Sequence, residues 1–188
     1  MQGDLQDEDE RLTIDLSVSK SGDCTGTVGK AGASFELLVA ENRIFFRGDE
    51  AFYRASGATP EEARQAAAVI GDRWVEGDNK PIGHLCTLDD LFDLSEKGNR
   101  TLKKMLPGQV SVVGTAEVAG IETVQLTSTS GKRTYGMYVG VEEPHHIIQL
   151  TASGTKKLNG TITFTNHGIP VRTSVPDKAD IFVVPASS

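Results

Sequence analysis

Two runs of alternating apolar and polar residues with a helical block between them restrict this chain more than any other feature. "RLTIDLSVSK" sets Leu12, Ile14, Leu16 and Val18 on one side and Thr13, Asp15, Ser17 and Ser19 on the other, the pattern of a half-buried strand. Ser21-Gly22-Asp23 turns the chain into "CTGTVGK", Ala31-Gly32 turns it into "SFELLVA", and Glu41-Asn42 into "RIFFRG". Short turns of this kind join antiparallel neighbours. Beyond the block come "QVSVVGTAEV", "IETVQLTST", "RTYGMYVG", "HHIIQLTAS", "GTITFTN" and "ADIFVVP". About ten strands are expected in all, with one face apolar and one wet.

The middle reads differently. "DEAFYRAS" after Gly48 predicts a short helix. "TPEEARQAAAVIG" predicts another, with Thr59 as N-cap, Pro60 in the first helical position, Glu62 completing a capping box and Gly71 as the stop. Thr87 and Asp90 form a second capping pair ahead of Leu88, Leu91, Phe92 and Leu94, with a break or kink at Gly98-Asn99 and a stop at Pro107-Gly108. Strands on both sides of a helical block favour a single α+β domain over residues 11–188: one large curved antiparallel sheet covering two or three helices, built from residues 11–48 and 109–184, with residues 59–106 helical and packed on one face.

At 188 residues the chain is long enough for a sizeable core. Its net charge of −7 argues against a nucleic-acid partner, which needs a clustered basic face. Arg100, Lys103 and Lys104, and the pair Lys156 and Lys157, read as solvated surface. No apolar stretch approaches the roughly 20 residues that span a bilayer. "MQGDLQDEDE" has neither the basic nor the apolar region of a signal peptide, and its acids predict a flexible tail over residues 1–10, the remnant of a processed or shortened chain.

Groups able to carry out catalysis are scattered. His145 and His146 in "EEPHH" are adjacent, so on a strand they point to opposite faces and share no ligand set. Ser21, Ser34, Ser56 and Ser95 lack the G-x-S-x-G context of an activated nucleophile. Asp89, Asp90 and Asp93 read as N-terminal helix charges. The glycines fall at turns, with no phosphate loop. No catalytic residue, metal site or cofactor is expected.

Cys24 and Cys86 are the only cysteines. They are either two unrelated buried thiols or a pair. Zinc needs more ligands at closer spacing, and His84 near Cys86 does not supply them. A redox C-x-x-C is absent. A Cys24–Cys86 disulfide fits an oxidising compartment.

"SGDCTGTVG", "SFELL", "GDRWV", "LCTLDDLFDL" and "GTITFTNHGIPVRTSVP" resemble segments of actinobacterial cell-envelope lipoproteins of the LppX/LprG type and, more remotely, the LolA-like carrier fold. The resemblance covers most of residues 11–185. It implies a half-barrel sheet wrapped over helices and enclosing an apolar cavity, and a non-enzymatic protein that binds or carries an acyl-chain or glycolipid ligand. It also implies an extracytoplasmic location and a membrane anchor through a lipidated N-terminal cysteine that this sequence does not contain. The cysteine pair looks like the arrangement in a streptomycete-type branch. In that reading Phe35, Leu37, Phe46, Leu91 and Phe92 line the cavity and Trp74 sits nearer its mouth. The alternative is an extracytoplasmic sensor or interaction module with a filled core and an envelope protein as partner.

Overall fold

The protein was analysed as a computed structural model, which describes residues 1–8, 10–77, 86, 106–154 and 159–183. Along the chain it runs β1 (Gln2–Asp7), β2 (Glu10–Val18), β3 (Cys24–Lys30), β4 (Ala33–Ala40), β5 (Arg43–Gly48), α1 (Glu50–Ala55), α2 (Pro60–Ile70), β6 (Trp74–Gly77), β7 (Val110–Val118), β8 (Ile121–Ser130), β9 (Arg133–Gly140), β10 (Ile147–Ser153), β11 (Asn159–Thr163) and β12 (Ile181–Phe182). The hydrogen-bonded order is β12-β6-β5-β4-β3-β2-β1-β11-β10-β9-β8-β7. The fold is α+β with a large, mostly antiparallel sheet, as the strand–helix–strand order predicts; β12 joins β6 in parallel.

Several expectations need correction. Residues 2–7, expected as a flexible tail, form a strand that pairs β11 from Gln2↔Thr163 to Gln6↔Asn159. Backbone pairing does not depend on side-chain polarity. Asp4 stays exposed, where Arg11 grips it through two hydrogen bonds, while Leu5 is half-buried. Trp74–Gly77, expected inside a helical block, is a strand: Gly71 ends α2, and the Trp-Val pair that follows favours extended backbone. Of "ADIFVVP" only Ile181–Phe182 is strand. The expected helix from Thr87 lies, up to residue 105, outside the described residues.

Two compact units divide the chain, Met1–Thr13 with Asp89–Ile169 and Ile14–Leu88 with Pro170–Ser188. In the second unit β4 buries Leu37, Leu38, Val39 and Ala40 in succession. Consecutive burial means that both faces are covered, so the one-wet-face expectation fails here. On one face Leu37 pairs Phe46, and Phe52 of α1 closes on Phe35 and Phe46 at ring-centroid distances of 4.9 and 5.8 Å. Gly48 and Gly77 make room for these rings: a Cβ would lie 2.4 Å from Phe52 and 2.7 Å from Phe46 respectively. On the other face Leu38, Ala40 and Phe45 pack against Trp74, Val175 and Ile181.

Both helices start as the sequence predicts. Asp49 accepts from the Phe52 backbone N–H at 3.0 Å. Thr59 Oγ1 accepts from the Glu62 N–H, and Glu62 accepts from the Thr59 N–H at 2.9 Å. Cys24 and Cys86 form the expected disulfide, with Cα atoms 5.6 Å apart, inside the ordinary range.

Candidate functional site

The first unit separates its two sheet faces cleanly. Register carries one row across five strands: Val112 faces Leu126, Leu126 faces Met137, Met137 faces Leu150, and Leu150 faces Ile162. A second row on the same face runs Val110, Ser128, Tyr135, Ala152, Gly160 and Leu5. The residues between them in sequence point the other way. There the rows are Ser111, Thr127, Gly136, Thr151, Thr161 and Asp4, and Gln125, Tyr138, Gln149, Thr163 and Gln2. One face is aliphatic and the other is hydroxyl and amide, tied in places by bonds such as Gln149 Nε2 to Thr163 Oγ1 at 3.0 Å.

Exposure along the aliphatic row is uneven. Met137 at its centre is 2% exposed, whereas Val112 at the β7 end is 70% exposed. Leu126, Leu150 and Ile162 are half-buried. The row is therefore continuous in register but unevenly covered, closed at Met137 and open towards β7, and it is backed by a hydrogen-bonded ladder. Chemically it can desolvate hydrocarbon. On the second row Tyr135 lies beneath the Arg133 guanidinium at 5.2 Å.

The residues singled out from sequence fall elsewhere. Phe35, Leu37 and Phe46 share one face of the second unit, where Phe52 fills the space beside them. Trp74 does not join them. Val75 pairs Phe46, so Trp74, one residue earlier, lies on the opposite face beneath Arg47 at 4.6 Å. That face also carries the Arg43–Glu76 and Arg47–Glu36 ion pairs at 2.8 and 2.6 Å. Leu91 and Phe92 are outside the described residues.

His145 and His146 precede β10 rather than lying within it. His145 Nδ1 is 3.2 Å from the Gly140 carbonyl oxygen. His146 stacks on His167 with centroids 4.2 Å apart, a pairing that no local pattern announces. Among the described residues no group of three or more His, Cys, Asp or Glu is placed to hold a metal ion. No described helix is long and apolar enough to cross a membrane.

At the level of sequence, no family model matches and no curated protein is significantly similar. The three-dimensional comparison decides the fold. The chain is similar to a structure described as "Crystal structure of LprF from Mycobacterium bovis", with a TM-score of 0.55 and 11% identity, over 93% of this chain and 88% of that one. The fold is that of the LppX/LprG-type, LolA-like proteins. At that identity the likeness speaks for architecture, and the chemistry must come from this chain's own residues.

Proposed function

We propose that this chain is a non-enzymatic, extracytoplasmic lipoprotein domain, held at the membrane through an N-terminal lipid anchor, that binds an acyl-chain or glycolipid ligand along the aliphatic row of its first unit. The observation that carries this is the row itself: five aliphatic or Met side chains in register, open towards β7, on a LolA-like fold. Binding would follow from moving methylenes out of water, about 0.8 kcal/mol for each CH₂ buried. The disulfide supports an oxidising location. Phe35, Leu37 and Phe46 would take part only if Phe52 moved off them.

Neighbouring residues on β8 provide the test. Leu126 lies on the aliphatic face and Gln125 on the polar one. Delipidated protein titrated with a long-chain acyl probe should bind it with a negative heat-capacity change. Leu126→Asp should weaken binding at least tenfold, and Gln125→Asp should leave it unchanged, with circular dichroism checking both folds. Absence of binding to the wild type, or equal losses in the two variants, would remove the proposal.

A further inference from the structure

Ser128 is the anomaly on the aliphatic face. It is 1% exposed, and its Oγ has no hydrogen-bond partner among the described residues. The other fully buried hydroxyl of β8 is provided for: Thr123 Oγ1 donates to the Ala116 carbonyl at 2.7 Å. Thr127 Oγ1 donates to the Tyr135 carbonyl at 3.1 Å. Buried polar groups are nearly always paired, and one that is not calls for an explanation. Ser128 follows Leu126 by two residues on the same strand, so it shares the face of the aliphatic row. Its cross-strand neighbours are Val110 and Tyr135, so it stands where the aliphatic surface meets a Tyr ring.

We propose, resting on the acyl-ligand reading above, that the Ser128 hydroxyl is the donor that receives the ester carbonyl of the bound ligand. A neutral hydroxyl in an apolar wall favours an acceptor that brings no charge and little hydration. An ester carbonyl next to a hydrocarbon chain is such an acceptor, and it has no donor with which to satisfy itself. The ligand must first part the cover that leaves Met137 2% and Ser128 1% exposed; its chain then lies along Leu126 and Met137, and the carbonyl stops at Ser128. The unpaired donor then makes the site selective: a ligand without a good acceptor leaves the hydroxyl desolvated and empty, whereas an acyl ester pairs it.

The experiment compares a long-chain monoacylglycerol with the 1-alkyl ether of the same chain length, both binding to delipidated protein by calorimetry. The wild type should hold the ester about five- to tenfold more tightly, the worth of one neutral hydrogen bond. Ser128→Ala should abolish the preference by weakening the ester alone. In parallel, the carbonyl stretch of a ¹³C-labelled ester bound to the wild type should move to lower frequency than in alkane solvent, a readout that needs no variant to fold. A wild type with no ester preference, a Ser128→Ala protein that keeps it, or an unshifted carbonyl would overturn the role of Ser128 while leaving the apolar site standing. If neither lipid binds, the acyl-ligand reading falls and this inference with it.

Discussion

Gly26 and Gly160 sit inside strands, not at turns, and each lies against the backbone of the strand beside it. A Cβ on Gly26 would come within 2.0 Å of the Asp15 carbonyl oxygen, and one on Gly160 within 2.1 Å of that of Asp4. Their φ angles are +148° and +141°, a region that side chains avoid. Both the space and the conformation therefore demand glycine. Gly26→Ala and Gly160→Ala should each lower unfolding free energy by at least about 1–3 kcal/mol from backbone strain, with the clash adding to it, as chemical denaturation would show. Gly22→Ala is a useful contrast, because nothing lies within 4 Å of its Cβ position although its φ is +87°; it should cost less. Reading the glycines only as turn markers left these two contacts unseen. For Gly26 the signal that points to such a contact is an isolated glycine between β-formers, as in "CTGTV".

Helix α2 shows what local sequence decides well. Its cap uses atoms within four residues of each other, so the pattern Thr59-Pro60-Glu61-Glu62 needs no tertiary partner. Thr59→Ala should cost about 1 kcal/mol, read from the denaturation midpoint. The β6 strand shows the opposite case. Four residues cannot establish a period, and its existence depends on pairing with β5, whose sequence lies almost thirty residues earlier. Once β6 is established, strand parity sets Trp74 on the face opposite Phe46. The loop after β11 carries a pH dependence for a similarly non-local reason. His167 Nε2 donates to the Ile147 carbonyl at 3.2 Å while its ring lies on His146. Burial first, and then the His146 charge, hold the His167 pKa below its ordinary 6.5. The folded loop thus prefers neutral imidazole, and the unfolded chain takes up the proton first. The loop's stability is complete above about pH 6.5 and declines as pH falls through the lowered folded value. Exchange of the Phe164 amide, which bonds the Ile148 carbonyl at 2.8 Å, should quicken between pH 7 and 5 after correction for intrinsic rates. His167→Asn should flatten that change.

The strand–helix–strand order and the even cysteine count were legible because each rests on short patterns repeated along the chain. The proposed ligand surface was not. Large aromatics draw attention to Phe35 and Phe46, yet Phe52, on a helix, packs against precisely those rings. The aliphatic row of the first unit is assembled from one residue per strand, and no single strand displays it; only the registers of four pairings do. The disulfide is likewise non-local but easier to read, since two cysteines leave one pairing. It joins residues 62 apart in sequence. Closing a loop of that length removes enough unfolded-state freedom to stabilise the fold by about 4 kcal/mol in the chain-entropy model. Both cysteines are buried, Cys24 opposite Val39 in the β3–β4 pair, so the native contacts around them should survive a conservative exchange. A Cys24→Ser, Cys86→Ser double variant should therefore fold but unfold at lower denaturant. It should also show a steeper transition, because an unfolded chain without the cross-link exposes more surface. The proposed acyl-binding site belongs to the other unit, so the variant should bind the long-chain probe with wild-type affinity in buffer. A midpoint unchanged from the oxidised wild type would mean that the cross-link adds nothing to the stability of the second unit.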